Sequence, residues 1–125
     1  MARFIGLAPV LLAPNVQEAL DYYRDTLGFE VEAYDGDPRR YGFARRGDCS
    51  VHIAHADHTR PNSDLVTDLF DVYVYVDDIE AVHRELVERG ANHIHGPVDR
   101  EYGLREIRVR DLNGYVLGIG QLLEP

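Results

Sequence analysis

At 125 residues and 14.2 kDa, the chain can bury roughly two thirds of its unfolded surface, enough for one self-supporting domain. Its 22 acidic against 13 basic residues leave a net charge of −9, which repels nucleic acid and anionic membrane and favours cationic or neutral partners. All 13 basic residues are arginine, which excludes lysine Schiff-base chemistry and a Walker-type phosphate loop, and the single cysteine, Cys49, excludes an intrachain disulfide and a thiolate zinc cluster.

No apolar run approaches the ~20 residues that span a bilayer, and no charged-then-apolar leader is legible, so a cytoplasmic protein without membrane contact is expected. In chain order, VLLAPNVQEALDYYRDTLGF at 10–29 reads as strand, polar turn and amphipathic helix. Val16, Ala19, Leu20, Tyr23 and Leu27 recur at three and four, with Asn15 as N-cap, Glu18 completing a capping box and Gly28 as the left-handed stop. A loop, YDGDPRR at 34–40, precedes two extended segments, YGFARRG and SVHIAH, separated by the Gly47-Asp48 turn. The Pro-, Asn-, Ser- and Asp-rich stretch 57–68 reads as a linker.

The pattern then repeats at an offset of about sixty residues. Strand 71–77 alternates at period two, placing Val72, Val74 and Val76 under the helices and Asp71, Tyr73 and Tyr75 on the concave side. Helix two takes Asp77 or Asp78 as cap, buries Ile79, Val82, Leu86 and Val87, and stops at Gly90. Two further extended segments, LREIRVRD and YVLGIG, flank the Asn113-Gly114 turn. In the last strand, Tyr115, Leu117 and Ile119 oppose Val116, Gly118 and Gly120. The glycines mark either a bulge or an unfilled surface suited to a pocket floor. The duplication predicts an α+β fold of two modules, about 1–56 and 69–125, in one domain spanning 1–125.

Chemistry-bearing residues are few. His52 and His55 fall on opposite faces of a strand, whereas His93 and His95 share a face if 92–95 is extended. Ser50 and Ser63, the only serines, have no base beside them. His52 and Asp71 form either a base with its orienting carboxylate or a hydrogen bond between two half-buried polar groups.

The segments PVLLAPNVQEALDYYRDTLGFEV, VDDIEAVHRELVERGA and EYGLREIRVRDLNGYVLGIGQ resemble the vicinal oxygen chelate superfamily, and within it the glyoxalase and bleomycin-resistance proteins. The resemblance implies tandem βαβββ modules with curved mixed sheets around a cleft, assembled as a homodimer. It places the superfamily's four metal-ligand positions at Ala8, His52, Asp71 and Gly118. Two of these lack a donor, and a catalytic site generally needs three protein ligands, so no metal and no cofactor are expected. It also places Tyr102, next to Gly103, where resistance-type relatives stack an aromatic on planar ligands.

The expectation is a metal-free, homodimeric binder of a planar, cationic or polar-aromatic small molecule, antibiotic sequestration being the model. The expected ligand-binding residues are Tyr41, Phe43, His52, Asp71, Tyr73, Tyr75, Tyr102, Glu106 and Gly118, with Asp71 and Glu106 supplying negative charge. The alternative is a lyase, isomerase or dioxygenase of this fold, using a non-standard metal site or acid/base chemistry at His52.

Overall fold

The structure, a computed structural model, describes residues 1–124; Pro125, the last residue of the expected domain, lies outside the described residues. Strand β1 (Val10–Ala13) leads into helix α1 (Val16–Asp25), followed by β2 (Glu30–Ala33), β3 (Tyr41–Arg46) and β4 (Cys49–His55). The second half repeats the order as β5 (Val72–Tyr75), α2 (Ile79–Glu88), β6 (His95–Asp99), β7 (Leu104–Arg110) and β8 (Val116–Leu122). Each half is a four-stranded mixed sheet, ordered β1-β4-β3-β2 and β5-β8-β7-β6, with one parallel pair, β1 with β4 and β5 with β8.

Local chemistry explains the helix boundaries. The Asn15 side chain accepts from Glu18 N at 3.0 Å and Asp78 from Ala81 N at 3.1 Å, capping the two helices. Both helices break where Gly28 and Gly90 take the left-handed conformation, at φ of +80° and +81°. The predicted apolar face of α1 is buried throughout. In α2, Ile79 and Leu86 are buried and Val82 half-buried, but Val87 is 55% exposed. The wider stripe expected from spacing is narrower because α2 covers its sheet with fewer residues.

The two halves share one apolar core. Leu11, Val51 and Ile53 of the first sheet join Val72, Ile107, Val109, Leu117 and Ile119 of the second, with Leu20, Tyr23, Ile79 and Leu86 from the helices. Polar contacts lock the halves together at its margin. The Tyr23 hydroxyl donates to Asp111 Oδ2 at 2.8 Å, Tyr115 donates to Leu12 O at 2.7 Å, and Arg46 pairs with Glu85 at 2.6 Å. The helix-facing sides of both sheets therefore meet within one chain, and the opposite faces are turned away from that core.

One expectation fails on backbone grounds. His93 has a φ of +56°, so 92–95 is not extended and His93 and His95 do not form a strand-face pair. The third strand of each βαβββ module, implied by the resemblance and without a clear signal in the residues themselves, is present as β2 and β6. The first is four residues long, and the second contains Gly96 and Pro97, which mask a strand.

Candidate functional site: two aromatic faces

Except for Asp71, the predicted site residues assemble into two clusters, one on the outward face of each sheet. On β5, Tyr73 and Tyr75 stand on the same side with ring centroids 5.3 Å apart, and Phe70 meets Tyr73 edge-on at 5.1 Å. Across the sheet, Glu106 on β7 is 1% exposed. Its Oε1 accepts from the Tyr73 hydroxyl at 2.9 Å and the Tyr102 hydroxyl at 2.6 Å, and its Oε2 from Arg100 Nε at 3.1 Å. Burial pushes the Glu106 carboxyl up, but the two phenols and the Arg100 guanidinium outweigh it and hold the group below the usual glutamate range. The Tyr73 phenol is pushed well up, first by burial and then by the carboxylate it serves. Glu106 is thus an anchored anion that fixes two phenol rings, while Tyr75 and Tyr102 remain 64% and 55% exposed.

Gly118 and Gly120 do not form an empty floor. A Cβ at 118 would lie 2.6 Å from Tyr73 Cδ2 and 2.7 Å from Phe70, and one at 120 would strike the Tyr73 hydroxyl. The space the glycines leave is filled by the chain's own rings. They let Tyr73 lie across β8 and reach Glu106.

On the first sheet, Tyr41, Phe43 and His52 form the second cluster. His52 Nδ1 and the Tyr41 hydroxyl are hydrogen-bonded at 3.0 Å, and the Phe43 and His52 rings are nearly perpendicular at 5.0 Å. Tyr34, on the loop after β2, extends this cluster toward Phe43 at 6.4 Å. A groove of about 360 Å³ beside it is lined by Phe43, His52, Ser50, Arg45, Glu30 and Glu32, among others.

Asp71 belongs to neither cluster. Its carboxylate accepts from the backbone N–H of Asn62 and of Val116, both at 2.8 Å, tying the linker to β8. The predicted His52–Asp71 contact is absent because each group is satisfied elsewhere. Phe70, Arg100, Arg108 and Tyr34 were not foreseen. Arg108 could have been: in LREIRVR it shares the face of Glu106, and it lies with its guanidinium 5.7 Å from the Phe70 ring centroid.

The superfamily's metal positions do not fit an ion here. Ala8 and Gly118 carry no donor, Asp71 is occupied by two backbone donors, and no group of three His, Cys, Asp or Glu among the described residues is placed to hold a metal. No helix of the described residues is long and apolar enough to cross a membrane.

Residues 7–119 match the family model described as Glyoxalase/Bleomycin resistance protein/Dioxygenase superfamily. The chain belongs to this superfamily. Among solved structures, it is similar to the bleomycin-binding protein from bleomycin-producing Streptomyces verticillus complexed with copper(II)-bleomycin, at 28% identity over 100% of both chains and a TM-score of 0.73. It is also similar to TnmS3, an antibiotic binding protein from Streptomyces sp. CB03234, at 27% identity over 97% of this chain and 99% of that one, TM-score 0.68. A glyoxalase-related enzyme from Clostridium phytofermentans, 15% identical over 98% and 97% of the two chains with a TM-score of 0.78, shares the fold. No curated protein matches the chain.

Proposed function

We propose that this protein is a metal-free small-molecule binder of the bleomycin-resistance type, acting as a cytoplasmic homodimer that sequesters a planar, cationic or polar-aromatic ligand. The observation that carries the reading is the pair of half-exposed aromatic faces, Tyr73-Tyr75-Tyr102 and Tyr41-Phe43-His52, on sheets whose other sides are buried together. Neither face is enclosed within one protomer, and among the described residues no ring contact joins them. A second copy closes a cleft by opposing the first sheet of one chain to the second sheet of the other. Similarity to two antibiotic-binding proteins over nearly the whole chain supports this reading.

In such a cleft the exposed Tyr75 and Tyr102 rings stack on a flat ligand, each offset contact adding ~0.5–1.5 kcal/mol beyond area burial. Glu106 acts from beneath by holding the Tyr102 and Tyr73 rings and keeping a negative charge under them. The net charge of −9 draws a cation toward the protein. The test is calorimetric titration with planar antibiotics, bleomycin included, alongside light scattering and elemental analysis of untagged protein. The reading expects a dimer, stoichiometric binding and no bound metal. About one chelatable metal per chain needed for binding, a monomeric mass over a wide concentration range, or no planar ligand bound would contradict it.

A second reading rests on the Tyr41–His52 hydrogen bond, which orients the imidazole for acid/base chemistry. A His52→Ala variant with intact affinity and lost turnover would favour that enzyme.

A further inference from the structure

Most arginines around the second sheet are committed to the protein. Arg105 Nε donates to Asp99 Oδ1 at 2.7 Å, Arg110 Nη1 to Gly114 O at 3.0 Å, and Arg100 Nε to Glu106. Arg108 is different. Its side chain is only 20% exposed, yet its Nε is buried without a hydrogen-bond partner. Among the described residues its one charge partner is Asp68, whose Oδ2 lies 3.2 Å from Nη1 and whose side chain is 60% exposed. A buried donor without an acceptor is a standing cost to folding, and beside a binding face a ligand can relieve it.

The guanidinium borders the aromatic face. Arg108 stands opposite Gly118 in the β7–β8 register, and Gly118 stands opposite Tyr73 in the β5–β8 register. The Phe70 ring, which meets Tyr73 edge-on, lies 5.7 Å from the Arg108 Cζ. Next to the guanidinium is a hollow of about 20 Å³, room for one water-sized group, bounded by Arg108, Arg110, His93, His95 and Asp68 among others. Asp68 is the single carboxylate on that lining. The chain's overall charge of −9 does not set the local preference, because exposed charges more than ~8–10 Å away are screened by salt.

We propose that Arg108 selects, among flat ligands, those that carry a carboxylate, and that Asp68 competes with that carboxylate for the guanidinium. The inference rests on the proposed binding function and deepens it: Tyr75 and Tyr102 hold the flat body, and Arg108 reads an acid at its edge. A carboxylate fits because Nε–H and the adjacent Nη2 form a fork that takes both its oxygens, whereas Asp68 meets the other side, at Nη1. Asp68 thus neutralises the arginine in the empty protein and repels the arriving acid. A cationic group elsewhere on the same ligand is compatible with this arrangement.

Anthracene-2-carboxylic acid and its neutral carboxamide provide the test. Both are titrated by fluorescence into full-length wild type, Arg108→Gln, Arg108→Lys, Asp68→Asn and Arg84→Gln, with bleomycin titrated separately. Arg84, exposed on α2, controls for the loss of one positive charge. Wild type and Arg84→Gln are expected to favour the acid over the amide by about tenfold or more. Arg108→Gln should bring that ratio close to unity while keeping the amide affinity. Arg108→Lys, which keeps the charge without the fork, should fall between, and Asp68→Asn should strengthen acid binding several-fold and leave the amide unmoved. An acid-to-amide ratio equal in wild type and Arg108→Gln overturns the proposal, as does an Asp68→Asn gain shared by the amide. Equal loss of both probes in Arg108→Gln would make Arg108 a support for Phe70 and overturns it too. Bleomycin bound with neither probe bound removes the carboxylate inference and leaves the binding function standing. No binding of any of the three removes both.

Discussion

Tyr73 donates to Glu106 Oε1 at 2.9 Å from the far side of β8, and it spans that strand because positions 118 and 120 are glycine. A strand position with a side chain at either site would push the ring outward and leave a buried carboxylate short of a donor. The aromatic face is therefore built from the sheet upward: glycines admit the ring, the ring satisfies the anion, and the anion fixes Tyr102 at the exposed margin.

Gly118→Ala is expected to cost ~1–3 kcal/mol of stability by displacing Tyr73 and Phe70. Tyr73→Phe, which keeps the ring and removes one donor to a buried carboxylate, is expected to cost about 1–2 kcal/mol. Urea denaturation monitored by far-UV circular dichroism measures both. Equal stability of Gly118→Ala and wild type would mean that the rings do not need the space.

Asp71 gives a contrasting prediction. Because its carboxylate carries the N–H groups of Asn62 and Val116, Asp71→Ala is expected to lower stability by roughly 1–3 kcal/mol through two stranded donors. A ligand contact of the same residue would instead leave the melting temperature unchanged and weaken binding. Thermal denaturation and titration of the one variant separate the two.

Asp111 makes stability depend on pH. Burial raises its carboxyl to about 6, although the Tyr23 hydroxyl and the N–H groups of Asn113 and Tyr115 hydrogen-bond to it; the ordinary value is 3.8. A folded-state value above the unfolded one means the folded protein holds the proton more tightly. The associated stabilisation is complete below about pH 4 and is lost as pH rises through 6. The linkage amounts to on the order of 3 kcal/mol. Wild type minus Asp111→Asn, followed by denaturant midpoints from pH 7.5 to 4.5, is expected to show wild type gaining ground as pH falls. A flat difference would contradict this.

Much of the fold was readable from particular residues. Asn15, Asp78, Gly28 and Gly90 mark helix ends by backbone chemistry that depends only on near neighbours, and the alternation of Val72, Tyr73, Val74 and Tyr75 assigns faces without knowledge of the partner strand. What failed depends on distant partners. Gly118 looks like open space until Phe70 and Tyr73 are placed over it. The carboxylate of Asp71 looks free until the linker folds back to present Asn62 N. Spacing alone does not pair His52 with Tyr41, because cross-strand register, which sets Phe43 opposite His52 and puts Tyr41 on the same face, is not visible at that level.

The most direct measurement of the central claim is calorimetric titration of one planar cationic antibiotic into wild type, Tyr75→Ala, Phe43→Ala and His83→Ala. Tyr75 and Phe43 lie on the two aromatic faces, while His83 sits on α2. The account predicts that wild type and His83→Ala bind alike, and that Tyr75→Ala and Phe43→Ala each lose ~1–3 kcal/mol of affinity, with binding weakened by salt. Equal affinity across all four proteins, or no binding to any planar ligand tried, would contradict it.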